Sequence, residues 1–172
     1  MFEEVRRELW LITVAVVAVI VQVDVLPQFR VFGLVPDVVA ITVVAVALLL
    51  GARIGAVYGF AVGLLIDMFL RPPAGLSACA YLLVGHAVGT GRTMLVRRTW
   101  WQNGLIVAMG SIASGAIYVA LAVIFGQEFL WSWRSFRILV GRAVIDGVLG
   151  LAIVPLVTRP LRAHADVAGS FR

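Results

Sequence analysis

Lysine does not occur in this chain of 172 residues, and all 14 basic side chains are arginine. Chemistry that needs an ε-amino group is thereby excluded, from the phosphate-cradling P-loop to Schiff-base cofactors. The single cysteine, Cys79, can neither close an intramolecular disulfide nor build a thiolate metal cluster. Histidine is almost as scarce: there are two, His86 and His164, at no metal-ligand spacing. Charged residues make up only 13% of the chain, about half the share of a typical soluble domain. A serine nucleophile is also missing from its usual frame. Ser111 and Ser114 lie in Gly110-Ser-Ile-Ala-Ser-Gly115, which does not contain Gly-x-Ser-x-Gly. Gly89-Thr90-Gly91 lacks the third glycine and the preceding strand of a dinucleotide loop. No enzyme and no cofactor are expected.

What is present is apolar. Hydrophobic residues reach 62%, with a mean hydropathy of +1.06. A water-soluble fold could not cover that much apolar surface, whereas lipid solvates it. At roughly 20 residues per span, the length accommodates six transmembrane helices in one all-α domain, residues 1–172. The expected spans are 9–26, 38–50, 54–70, 76–91, 104–125 and 138–158, with 159–172 as a mobile cytoplasmic tail. Arg6 and Arg7 precede the first apolar run as in a signal peptide. No small-residue cleavage site follows, so the run is expected to stay as the first span. The net charge of +5 does not indicate nucleic acid as a partner, because the arginines are scattered through short connections rather than gathered on one face.

The arginines also orient the chain. With the N-terminus inside, nine lie in inner segments: Arg6, Arg7, Arg53, Arg92, Arg97, Arg98, Arg159, Arg162 and Arg172. Four lie in outer loops (Arg30, Arg71, Arg134 and Arg137), and Arg142 falls within span six. The positive-inside rule therefore predicts that both termini are cytoplasmic. Trp10, Trp100 and Trp101 then mark the inner interface, and Trp131 and Trp133 the outer one.

Three groups of residues are functional candidates. Gly51, Gly55, Gly59 and Gly63 recur every fourth residue and form a smooth stripe for close helix contact, either within the monomer or with another chain. Asp67, Arg142 and Asp146 are ionisable residues inside spans, where charge is costly and generally paired. Helix rise places all three in the outer third of the membrane, so a buried Asp67–Arg142–Asp146 cluster joining spans three and six is expected, either as a structural ion cluster or as a proton or solute site. His86 falls near mid-membrane, as a hydrogen-bonded packing residue or as part of a pocket. Pro36 and Asp37 begin span two, with proline near the first turn and the acid at the positive end of the helix dipole; Gly33 breaks the loop before them.

The run Phe32-Gly33-Leu34-Val35-Pro36-Asp37, then an apolar span, then Gly51, Arg53, Gly55, Tyr58, Gly59, Phe60, Gly63 and Asp67 resembles the MreD family. Gly75-Leu76-Ser77-Ala78 and Gly85-His86-Ala87-Val88-Gly89 continue the resemblance, which covers roughly residues 10 to 95. It implies a scaffold of the bacterial cell-elongation machinery in the inner membrane. Such a scaffold binds the single-span protein MreC and connects it to MreB and to peptidoglycan synthases; a second copy of the chain is a further candidate partner. It also implies a fold similar to the substrate-binding subunits of energy-coupling-factor transporters, which carries no substrate over. The alternative function is a small-solute-binding subunit of a transporter.

The topology is testable by labelling. In a Cys79→Ser background, an impermeant thiol reagent added outside should modify Ser132→Cys and leave Thr99→Cys untouched; the opposite pattern would invert the assignment.

Overall fold

A helix that is apolar all round has no face to show to water and is normally enclosed by protein or lipid. The segment Val38–Leu50, VVAITVVAVALLL, is such a helix. In the computed structural model it lies at the centre: Val39 to Leu48 are all buried, most with no exposed surface. The structure describes residues 2–29, 33–70, 75–92, 100–126 and 133–169, and its regular elements are all helical. They are α1 (Phe2–Ile20), α2 (Val38–Leu50), α3 (Ala52–Leu70), α4 (Leu76–Gly91), α5 (Trp100–Ile124) and α6 (Trp133–Gly169). A π-helical turn, Val21–Val25, and a 3-10 turn, Leu26–Gln28, extend α1. Expected features at 30–32, 71–74, 93–99, 127–132 and 170–172, with Arg30, Arg71, Arg97, Arg98, Trp131 and Arg172 among them, lie outside the described residues.

Four stretches are long and apolar enough to cross a membrane: Val5–Gln28, Ala52–Phe69, Trp101–Ile124 and Arg137–Arg159. Their outward side chains are large and apolar, including Ile12, Val17, Val57, Met68, Met109, Val144 and Leu156. That is the surface of a multi-pass membrane protein. The two remaining helices, α2 and α4, are shorter, at 13 and 16 residues. Walled by other helices, α2 need not match the lipid thickness.

Two pairings organise the bundle around α2: α3 with α4, and α5 with α6. Glycine explains both. A Cβ added to Gly63 would lie 2.5 Å from the Ala78 Cα, and one added to Gly55 would lie 2.8 Å from the Gly85 carbonyl oxygen. Gly85 and Gly89 on α4 face Gly55 on α3 and the Gly51–Ala52 junction that precedes it just as closely. The glycine stripe is thus an internal contact whose partner is α4, and it offers no free surface to another chain. Between α5 and α6, Gly104 and Gly147 allow the same approach, a Cβ on Gly104 lying 2.8 Å from the Gly147 carbonyl oxygen. By contrast α1 is peripheral, with Trp10 donating from its indole N–H to the Val157 carbonyl at 3.3 Å.

Several expectations are corrected. A glycine stripe on span three suggests that this span is central, but α3 exposes Val57, Phe60, Leu64 and Met68, and the enclosed helix is α2. The segment after Arg159, expected to be a mobile tail, continues α6 as helix to Gly169 despite Pro155 and Pro160. Residues 161–168, rich in alanine, have the propensity to propagate it. Span five begins earlier than expected, at Trp100.

Because the groups opposing Gly59 and Gly63 are backbone, they cannot move aside as a side chain would. Gly59→Leu or Gly63→Leu should exceed the usual overpacking cost of about 1–3 kcal/mol and sharply lower the yield of folded protein in detergent, measured by fluorescence-detected size exclusion. Leu64→Ala, on the outward face of the same helix, should not.

Candidate functional site

Burying the start of α2 creates a local problem. The first turn of a helix has N–H groups without intrahelical acceptors, and lipid supplies none. Three side chains supply them here. Asp37 is the N-cap, its Oδ1 accepting from the Ala40 N–H at 2.9 Å. The Asp37 N–H itself donates to Asp146 Oδ1 at 2.7 Å, and the Val38 N–H donates to Gln22 Oε1 at 2.9 Å. The amide of Gln22 also donates to the Pro36 carbonyl at 3.0 Å. Gln22 lies in the π-helical turn after α1, and π-turns commonly occur where a helix must redirect a side chain.

The two carboxylates draw in α4, α5 and α6. The Tyr81 hydroxyl on α4 donates to Asp37 Oδ2 at 2.8 Å. Ser111 on α5 donates through Oγ to Asp146 Oδ2, and Ser114 Oγ donates to the Ser111 carbonyl at 3.0 Å. Arg142 on α6 forms an ion pair with Asp37 Oδ2 through Nη2, and its Nε lies 3.8 Å from Asp146 Oδ2, one helical turn along. Asp37 and Asp146 are buried, while the Arg142 side chain keeps 31% of its surface exposed. The network therefore ties five segments together: the π-turn, α2, α4, α5 and α6.

Asp67 does not belong to it. Its Oδ2 accepts from the N–H groups of Gly75 at 2.8 Å, Ser77 at 3.1 Å and Ala78 at 3.4 Å. It caps α4 from the end of α3, a role that Gly75 cannot fill because it has no side chain and holds a φ of 103°. The expected Asp67–Arg142 pair is thus replaced by Asp37–Arg142, while Arg142 and Asp146 do come together. Helix rise gives depth only, and residues at one depth can face opposite ways. Here α3 packs on α4 and α2, whereas α6 packs on α5 and α2.

The remaining candidates fall as follows. Pro36 is buried beside the network, and Gly33 sits exposed in a left-handed turn before it. Gly51 lies at the other end of α2, under the Arg92 guanidinium, which donates to the Leu49 carbonyl at 2.7 Å. A cation at the carbonyl end of the helix complements its dipole. His86 is not buried; it is exposed on α4 and is not among the residues lining the groove between α4 and α5. A groove of about 380 Å³ does open between α4 and α5, but Leu48, Val84, Val88, Met109, Gly110 and Ala113 make its walls apolar. Sequence did not assign Gln22, Tyr81 or Ser111 to the cluster. A glutamine late in an apolar span and a serine among glycines are weak signals, which gain meaning only beside the Pro-Asp helix start.

These features define a class: a helical membrane bundle whose interior polar groups hold its own helices together. Comparison with protein-family models, with curated proteins and with solved structures gives no match.

The Asp37–Arg142 pairing can be measured by a double-mutant cycle. Asp37→Asn keeps a good N-cap and removes the charge, so the loss, about 3–5 kcal/mol for a broken buried pair, reports on Arg142. Asp37→Asn with Arg142→Gln should be clearly less destabilised than the sum of the single changes. Asp67→Asn with Arg142→Gln should be additive, and coupling there would contradict the arrangement described.

Proposed function

We propose that this chain is a non-enzymatic scaffold of the bacterial inner membrane, of the MreD kind, with six spans and both termini in the cytoplasm. In this reading it holds an MreC-like single-span protein and through it serves cell shape and peptidoglycan synthesis, with MreB and the synthases as indirect partners. The observation that carries the proposal is where the polar groups are used. The carboxylates of Asp37 and Asp146, Oδ2 of Asp67 and the hydroxyls of Thr42, Tyr81, Ser111 and Ser114 bond to groups of the chain itself. A solute site needs convergent polar groups facing a cavity, and the groove between α4 and α5 offers an apolar wall instead. This favours the scaffold over the solute-binding subunit of a transporter, even with a fold like that of the energy-coupling-factor subunits.

With the glycine stripe covered by α4, the partner's helix is assigned to the opposite face of α3: Val57, Phe60, Leu64 and Met68. An apolar helix docks there by dispersion and by releasing ordered lipid. Tagged protein extracted from native bacterial membranes should bring down a single-span protein in near-equal amount. A photo-crosslinking amino acid at Leu64 should capture it, while one at the equally exposed Ile112 on α5 should not. Recovery of a small solute in stoichiometric amount, with no single-span protein, would refute the scaffold reading. Capture from Ile112 instead of Leu64 would refute only the choice of face.

A further inference from the structure

Of the sides of α4, two are accounted for. Gly85 and Gly89 lie against α3, and Val84 and Val88 face α2 and the groove toward α5. The third side is open, and along it Cys79, Leu83, His86 and Thr90 are all exposed, Leu83 at the edge of that groove. Their spacing of four, three and four residues is the repeat of the apolar seam of a left-handed helix pair, a geometry common between membrane helices.

His86 makes this side unusual. It lies ten residues into α4, about 15 Å along the helix; with α4 as one of the six proposed spans, that depth is the middle of a hydrocarbon core of about 30 Å. Among the described residues its imidazole has no hydrogen-bond partner; the hydrogen bond beside it, from Thr90 Oγ1 at 2.9 Å, goes to the His86 backbone carbonyl. Ionisable side chains at this depth normally face protein, because lipid cannot satisfy them. The close contact with α3 fixes how α4 is rotated, so the imidazole cannot turn inward without separating the two backbones.

We infer that α4 is a self-association helix: two copies of the chain pair in parallel through Cys79, Leu83, His86 and Thr90, about a two-fold axis along the membrane normal. A second copy suits this face better than an unrelated helix. Both copies share one topology, so each seam residue meets its own counterpart at the same depth without further adjustment. A neutral imidazole has one donor and one acceptor nitrogen, so His86 can bond to His86 of the second copy. The small Cys79 lets the helices approach near the start of α4. This pairing does not rest on the MreC-like reading, which concerns the opposite face of α3.

The chain's single cysteine lies on the seam and reports on it directly. Mild oxidation of the unmodified full-length protein in native membranes should give a covalent species of twice the 18.5 kDa chain mass, reversed by thiol. A Cys79→Ser, Met109→Cys chain, with its thiol on the exposed face of α5, should not crosslink under the same conditions. An interhelical hydrogen bond in lipid is worth about 0.6–1.7 kcal/mol, so His86→Leu should lower the crosslinked fraction about three- to eighteenfold, and His86→Asn should restore it. His86 is exposed, so both variants should fold, as checked by size exclusion. Absence of the Cys79 crosslink, equal crosslinking from Met109→Cys, or a Cys79 adduct with a different protein would each overturn the inference.

Discussion

The start of α2 must find hydrogen-bond acceptors where there is no water, and much of the bundle follows from that constraint. An unsatisfied buried N–H costs about 1–3 kcal/mol, and α2 presents several. Satisfying them requires Asp37 at the cap, Asp146 from α6 and Gln22 from the turn after α1. Two buried carboxylates then need counter-groups, which Tyr81, Ser111 and Arg142 provide. The network thus fixes the rotation of α4, α5 and α6 around the central helix, as apolar contacts alone would not. Lipid is as apolar as leucine and gives little preference for protein contact over lipid contact.

Glycine sets how near the helices come, and the polar groups set how they are turned. Between α3 and α4 the backbones are almost in contact, and Asp67 closes the junction by capping α4 from α3. At the far end of α2, Arg92 covers Gly51 and binds the Leu49 carbonyl, so both ends of the buried helix are capped by side chains. A chain without lysine suits this use, because a guanidinium keeps its charge and offers several donors in one plane.

Sequence resolved the helices better than the site. The limits of α2 and α4 coincide with expectation because Pro36-Asp37 and Gly51, and Gly75 and Arg92, are sharp local boundaries. The far end of α6 was misjudged because polarity was taken as the end of the helix, although alanine-rich polar sequence remains helical beyond a membrane. For the polar cluster, sequence gave depth but not direction. Arg142 and Asp146 share a helix and their proximity followed from spacing, but whether Asp37 or Asp67 faced Arg142 depended on which helices are neighbours. The contact of Gly104 with Gly147 was invisible for the same reason, since single glycines on two helices form no periodic pattern.

The two capping arrangements differ greatly in how far apart their partners lie along the chain. Asp67 and Gly75 are eight residues apart, so α3 and α4 carry everything needed to leave the insertion machinery as a finished hairpin. Asp37 and Asp146 are separated by 109 residues. The Asp37 N–H thus has its acceptor on the last helix, and the cap of the central helix is complete only in a chain that includes α6. One junction of the bundle closes within a hairpin and the other only across most of the chain, and the residue that closes it is Asp146.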